Sequence, residues 1–517
     1  MSWEKEVEEL HQRRELARAM GGPEGIARQR ARGKLTVRER IDAIADPGSF
    51  REFMGLTGDA GYDNDTLSTF TPKGSVEGMA DLEGRKAVIS ASDFTVRGGS
   101  GGARGGLGQE LPANVRAREW RVPYVRLLDA AGGSVRSFEE MGRTYLPDGN
   151  IWSAVDVDLL SQVPVVSAVL GSVAGLPAIN ACFAHFNLML KDRSHLFPGG
   201  PPVVKAALGY DITKEALGGD RIHVRKSGSI DNLALDEADA FAQIRRFLAY
   251  LPSNVWEAAP RVATDDPPDR ADEALLSLIP RDPRKVYDAR HLIESVVDKD
   301  SFFELAPLYG RARSTGLARL NGYPVAVMAN NPRHKGGTTD VAAGNKVMRL
   351  IQLANTFHLP LVSFADEPGF MVGLDSELAG IERAGARLVA TTTQSWTPWL
   401  TIVVGKLYGV AGQCQHRPSG MFRRYAWPSA NWGSMHIAGG AAAAYRREID
   451  SADDPQARRA EIEQRLQALA SPFRTAEATG QDIIDPRETR QLACEFAEDA
   501  QRVLATQLGP PRIPYMP

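Results

Sequence analysis

At 517 residues the chain exceeds what one hydrophobic core supports, and two domains of roughly 200–250 residues are expected. A hydrophobic content of 43%, a charged content of 24% and a net charge of −3 describe an ordinary soluble protein, with no basis for nucleic-acid or membrane-surface binding. Cys182, Cys414 and Cys494 lie far apart and form no Cys-x-x-Cys pair, which excludes a disulfide scaffold or structural zinc and fits a reducing cytoplasm.

In chain order, residues 2–19 place Trp3, Val7 and Leu10 at helical spacing, as in a docking helix rather than a core element. The N-terminus is acidic and amphipathic, unlike a signal peptide. The basic run Arg28-Gln-Arg-Ala-Arg-Gly-Lys34 reads as a solvated face or a local anion contact. Thr36 and Glu39 have the form of a capping box. Asp81-Leu-Glu-Gly-Arg-Lys-Ala-Val-Ile predicts a hairpin turn feeding a buried strand. The glycine-rich loop Arg97 to Gly108 suits either a phosphate contact or a plain surface loop, and it matches no P-loop.

The central stretch Val163 to Ala178, VPVVSAVLGSVAGLPA, is a short apolar run that closes on a glycine turn. No charged residue occurs from Leu159 to Leu190, but Pro164, Pro177, Asn180 and Asn187 interrupt the segment. A buried strand, turn and helix therefore explain it better than a membrane span. A helical run near Ala234 to Leu251 follows, and the Pro- and Asp-rich residues 253–285 read as a linker between domains 1–252 and 286–517.

The second half restarts the plan. TPWLTIVVGKLYGVAG, Thr397 to Gly412, echoes the central stretch: Gly175 and Gly409, Gly171 and Gly405, and Pro164 and Pro398 are each 234 residues apart. Leu320-Asn-Gly-Tyr answers Leu82-Glu-Gly-Arg, Leu359-Pro-Leu-Val answers Val122-Pro-Tyr-Val, and Asp300-Ser-Phe-Phe-Glu answers Pro47-Gly-Ser-Phe-Arg-Glu. Four blocks in one order indicate a duplicated α/β domain. The remaining tail, Asp450 to Pro517, is charged and helical with a proline-rich end.

Longer motifs carry a family likeness over nearly the whole chain. They are Ala31-Arg-Gly-Lys-Leu-Thr-Val-Arg-Glu-Arg-Ile, Ser92-Asp-Phe-Thr-Val, Pro202-Val-Val-Lys-Ala-Ala-Leu-Gly and Asp211-Ile-Thr-Lys-Glu-Ala-Leu-Gly-Gly. Asp366-Glu-Pro-Gly-Phe, Tyr425-Ala-Trp-Pro and Ile484-Asp-Pro-Arg-Glu-Thr-Arg continue them. The chain resembles the carboxyltransferase (β) subunits of biotin-dependent acyl-CoA carboxylases of the propionyl-CoA and methylcrotonyl-CoA type. That resemblance implies an α/β fold of two tandem crotonase-like (ClpP/crotonase) β-β-α superhelix domains. It also implies a hexamer, a trimer of dimers, that works with a biotin carboxylase and biotin carrier α subunit. No Met-Lys-Met segment occurs, so biotin is expected on a separate chain, with no metal in this one.

Such chemistry must hold an enolate on a thioester and another on the biotin ureido group, which fixed backbone N–H groups can do. By resemblance the thioester hole falls on Gly175 and Leu176 and the biotin-side hole on Val410 and Ala411. CoA contacts would come from Phe94, Gly98, Gly99, Ser100, Gly132 and Gly133, and biotin contacts from Gly369, Phe370, Gly409 and Gly412. No triad is evident, and His185, His195, His334 and His416 are expected to pack or hydrogen-bond rather than act as bases. The chain departs from the family's Ala-Gly-Gly-Ala and Tyr-Gly-Gly-Ala turns, reading Ala174-Gly-Leu-Pro177 and Tyr408-Gly-Val-Ala411. Pro177 has no N–H to donate. Two other readings follow from these departures: a biotin-independent acyl-CoA decarboxylase or other crotonase-like lyase, and a non-catalytic β-like subunit of a mixed carboxylase complex.

Overall fold

A computed structural model of the chain describes residues 2–99, 112–133, 138–139, 142–144, 151–282, 285–417 and 419–517. The chain divides into two units, Met1–Glu257 and Ala258–Pro511, with Arg512–Tyr515 returning to the first. That return is anchored where Tyr515, 2% exposed, lays its ring 4.5 Å from the buried His185 ring.

The strands of the first unit are β1 (Arg51–Phe53), β2 (Gly58–Asp63), β3 (Thr66–Pro72), β4 (Ser75–Leu82), β5 (Arg85–Ser92) and β6 (Tyr124–Leu128). There follow β7 (Val165–Val169), β8 (Ser172–Ala174), β9 (Phe186–Leu190), β10 (His195–Phe197) and β11 (Asn232–Ala234). Its main sheet has the order β1-β4-β5-β6-β7-β9-β11. β1, β4 and β5 are antiparallel, and β5 through β11 run parallel. β6, β7 and β9 are buried at every residue, as strands covered on both faces must be.

The second unit carries β12 (Phe303–Leu305), β13 (Arg313–Leu320), β14 (Tyr323–Asn330), β15 (Leu361–Glu367), β16 (Trp399–Tyr408), β17 (Phe422–Ala426), β18 (Asn431–Gly433) and β19 (Asp482–Ile483). Its sheet repeats the plan in the order β12-β13-β14-β15-β16-β17-β19, with β18 extending the pairing of β16. The expected duplication is thus visible as matched topology: β4–β5 corresponds to β13–β14, β6 to β15 and β7 to β16. Both units are α/β, as expected.

Each hairpin turns on the two-residue device the sequence suggests. Glu83-Gly84 and Asn321-Gly322 all have positive φ, 51° and 77° in one and 49° and 79° in the other, as a type I′ turn requires. Each turn also offers its two N–H groups to one upstream carboxylate. Asp46 takes those of Glu83 and Gly84 at 2.9 and 2.7 Å, and Asp298 takes those of Asn321 and Gly322 at 3.0 and 2.7 Å.

The Thr36–Glu39 capping box forms, and the Thr36 backbone N–H holds the Glu39 carboxyl below its usual range. The N-terminal helix Glu4–Arg18 buries only Ala17, leaving Trp3 75% exposed. The uncharged stretch from Leu159 breaks into β7, β8, the helix Leu176–Cys182 and β9. Among the described residues no helix is long and apolar enough to cross a membrane. Residues 258–282 join the second unit: Leu275 lies in its core, and buried Arg490 donates to the carbonyls of Asp266 and Pro267.

Candidate active site

Parallel strands deliver their following loops to one edge, where ligands of α/β sheets bind. In the first unit β5, β6 and β7 are neighbours, and three predicted segments meet at their carboxyl ends. Ala131 N–H donates to Gly98 O at 2.8 Å, and Ala174 N–H donates to Ala130 O at 3.0 Å. The loops pack so closely that only glycine fits. A Cβ on Gly99 would stand 2.5 Å from the Asp129 carbonyl, and one on Gly132 would stand 2.7 Å from the Ala174 carbonyl. Phe94, Gly98, Gly99, Gly132, Gly133, Gly175 and Leu176 therefore share this edge. Ser100 lies outside the described residues.

Gly175 has φ 68° and ψ −139°, a backbone state open to glycine alone. Its N–H is shared between the carbonyls of Phe197 and Pro198 at 3.2 and 3.1 Å, so the next N–H must serve any ligand. That is Leu176, the first residue of the helix Leu176–Cys182, whose N–H meets no acceptor among the described residues. Leu176 as a whole is 50% exposed.

A buried charge cluster supports this turn. Asp129, 0% exposed, accepts from Lys34 Nζ at 3.0 and 3.1 Å, from both terminal guanidinium nitrogens of Arg40 at 3.3 Å and from Gln29 at 3.3 Å. Arg40, 1% exposed, also pairs with Glu237 at 2.7 Å. A Cβ on Gly171 would lie 1.9 Å from Asp129 Oδ1, so the glycine exists to admit the carboxylate. The basic N-terminal run thus sends Lys34 inward to an internal anion, and Lys34 Nζ also stands 5.3 Å from the Phe94 ring centre.

The second unit repeats the arrangement with different chemistry. A Cβ on Gly405 would meet Asp366 Oδ1 at 2.4 Å, and that oxygen accepts the Lys406 N–H at 2.7 Å while Tyr287 donates to Oδ2 at 3.1 Å. The adjoining Glu367, 0% exposed, is ion-paired with Arg313. It also accepts from Thr339, Asn330 and Gln415 at 2.7–3.1 Å, and its other oxygen takes the Gly369 N–H at 3.0 Å. Burial outweighs Glu367 and lowers the pKa of Arg313 from its ordinary value.

After β16, Gly409 (φ 59°) opens the helix Gly409–Gln413. The first-turn N–H groups of Val410 and Ala411 have no intrahelical acceptor and meet none elsewhere among the described residues. Val410 borders a cavity of about 440 Å³ lined also by Leu407, Gly409, Gly412, His416 and Trp432, among others, while Ala411 is buried and lies outside that lining. Val410 is 52% exposed there. Gly369 and Phe370 follow β15, the strand beside β16, and lie outside that lining; Phe370 packs instead on Gly385.

The histidines separate by role. His185 is a core residue that accepts the Val165 N–H at 3.0 Å and lies 2.9 Å from Leu160 O. His416 borders the cavity beside Val410, its Nδ1 has no partner among the described residues, and burial lowers its pKa. His195 forms a contact the sequence reading did not find. Its Nδ1 is 3.2 Å from Ser172 Oγ and its Nε2 is 3.4 Å from Glu215 Oε2, while Lys214 Nζ donates to Ser172 Oγ at 3.2 Å. Parallel pairing of His195 with Ser172 in β10 and β8 creates it, a register that no local motif announces. The pairing of Asp129 with Arg40 and of Glu367 with Arg313 was equally silent in sequence, because the partners are distant in the chain.

Residues 28–505 match the model of one family, the carboxyl transferase domain. The chain is 35% identical to the carboxyltransferase subunit of propionyl-CoA carboxylase from Haloferax mediterranei, over 95% of each chain. It is 32% identical, over 94% of each, to the methylmalonyl-CoA decarboxylase subunit alpha of Veillonella parvula. A crystal structure of transcarboxylase 12S, a hexamer with methylmalonyl-coenzyme A bound, superimposes with a TM-score of 0.85 at 30% identity. That match covers 97% of this chain and 96% of the other.

Proposed function

Because the chain belongs to the carboxyl transferase domain family, we propose that it moves a carboxyl group from N-carboxybiotin, borne by a separate carrier, to the carbon beside an acyl-CoA thioester. Family and relatives make it an enzyme, a carboxyltransferase of the acyl-CoA carboxylase type with the α/β crotonase-like fold. One observation supports the finer mechanism best: Gly175 after β8 and Gly409 after β16, 234 residues apart, open turns whose next N–H groups meet no acceptor among the described residues.

In the first unit the thioester oxygen would accept from Leu176, with Gly175 setting the direction of that N–H. The edge formed by Phe94, Gly98, Gly99, Ser100, Gly132 and Gly133 would receive coenzyme A. In the second unit Val410 and Ala411 would hold the ureido oxygen as negative charge develops on it. The cavity between Leu407, Val410 and Trp432 suits a small fused ring with one carbonyl, and its apolar walls strengthen those hydrogen bonds. The carrier's carboxylated biotin supplies the activated carboxyl group. Gly409 and Gly412 line the cavity that would receive it, and Gly369 and Phe370, outside that lining, would act from the end of the neighbouring strand β15. We assign the assembly as a hexamer, a trimer of dimers, partnered by a biotin carboxylase and biotin carrier subunit.

A panel of acyl-CoA thioesters incubated with and without carboxylated biotin carrier tests this. Carrier-dependent transfer of labelled carboxyl to one or more thioesters is expected, and no transfer across the panel removes the proposal. A second reading, carrier-independent decarboxylation, is motivated by the Val410 side chain bordering the cavity and by the decarboxylase relative. It requires carbon dioxide release from a malonyl-type thioester by the protein alone.

A further inference from the structure

Three carboxylates converge beside the first glycine turn. Asp192 follows β9, Glu215 lies on the helix Lys214–Gly218, and Asp220 follows the Gly218-Gly219 pair. Each offers an oxygen within 4.8 Å of the other two. Ligands opposite each other on a coordination sphere of about 2.4 Å radius are separated by that same span, and about 2.3–2.6 Å is the metal–oxygen distance of calcium.

Proximity of acids alone would not make a site, but here two buried oxygens lack any partner among the described residues. Asp220 is 3% exposed, and its Oδ1 accepts no hydrogen bond; Glu215 Oε1 is likewise buried and unmatched. Arg225 compensates weakly, with Nε 3.8 Å from Asp220 Oδ2. His195 Nε2 stands 3.4 Å from Glu215 Oε2, but burial and the charges of Lys214 and Lys34 lower its tendency to be protonated. Burying a carboxylate oxygen without a partner is costly, and neighbouring carboxylates add repulsion. A bound cation removes both costs together.

We propose that Asp192, Glu215 and Asp220 bind a hard divalent cation of the calcium, manganese or magnesium class, with water completing its shell. The glycines favour the arrangement, since a Cβ on Gly219 would lie 2.1 Å from Glu215 Oε1. The cation ties the β9–β10 connection to the helix Lys214–Gly218 and to the short turn of helix Asp220–Ile222. β10 in turn supplies the Phe197 carbonyl that holds the Gly175 N–H. Occupancy therefore stiffens the turn whose next N–H is Leu176, whatever reaction that turn serves.

The test uses the full chain, stripped with chelator and titrated with manganese chloride by electron paramagnetic resonance of the free ion. One saturable manganese per chain is expected, displaced by calcium or magnesium, together with a rise in melting temperature. Asp220→Asn and Glu215→Gln should each weaken binding by about tenfold or more. In metal-free buffer Asp220→Asn should melt higher than the wild type, because it removes an unpaired buried charge. No saturable binding at millimolar metal overturns the proposal. So do wild-type manganese affinity in both variants and a lower metal-free melting temperature for Asp220→Asn; Glu215→Gln decides the matter if Asp220→Asn does not fold.

Discussion

Gly175 concentrates the demands of the first site into one backbone conformation. Its φ of 68° and ψ of −139° aim the following N–H outward while its own N–H is tied to β10. A methyl group there meets only an ordinary van der Waals contact, with Gly132 Cα 3.9 Å from the added Cβ, so Gly175→Ala tests conformation rather than a clash. It should cost about 1–3 kcal/mol in denaturant unfolding. Under the proposed mechanism, loss of a correctly aimed donor should also lower kcat by roughly 10²–10³. A normal kcat in a stably folded Gly175→Ala protein would separate the turn from the chemistry. The substitutions that set this chain apart are better understood at this scale. Leu176 and Val410 are both half-exposed, so neither side chain is packed into the interior of its unit. Pro177 occupies the second helical position, where a missing N–H is one the helix could not have satisfied.

The strand-and-turn element shows how one plan diverged. Gly171 admits Asp129 and Gly405 admits Asp366, but the carboxylates do different work. Asp129 neutralises Arg40 and Lys34 in the interior, whereas Asp366 holds a backbone N–H and a tyrosine hydroxyl and stands 3.8 Å from the Lys406 ammonium. Asp129→Ala should therefore destabilise by about 3–5 kcal/mol, because it strands buried cations. Asp366→Ala should cost less, about 1–3 kcal/mol, because it leaves mainly an unsatisfied N–H. Equal losses in chemical denaturation would contradict this division. The glycines at both positions were legible in the sequence, as were the hairpins and the order of the blocks, because local spacing and internal repetition encode them. Their reasons were not. Asp129 lies 89 residues from Arg40 and Glu367 lies 54 from Arg313, and no periodicity links such pairs. The Ser172–His195 contact escaped for the same reason, being a product of strand register.

Over the whole molecule, both units hold partly buried imidazoles, and this sets how the protein responds to acid. His195 and His223 in the first unit and His334 and His416 in the second all have pKa values lowered below 6.5, with burial the leading cause in each. Nearby cations add to the effect: Lys214 and Lys34 at His195, Arg311 and Arg290 at His334, and Arg424 at His416. Between the unfolded value near 6.5 and the lower folded value, the unfolded chain carries protons that the folded chain does not. Stability from these groups is thus fully present above about pH 6.5 and is lost as pH falls through the interval toward the folded pKa. Asp93 and Glu215, whose pKa values burial raises, act in the opposite sense just above the ordinary carboxylate range, and so soften the loss at its lower end. Melting temperature should fall as pH is lowered through and below about 6.5. Because each unit contributes two such histidines, both should weaken over the same range. His416→Phe in the second unit and His223→Phe in the first should each flatten the slope, and a melting temperature indifferent to pH over that range would show that these imidazoles protonate freely within the fold.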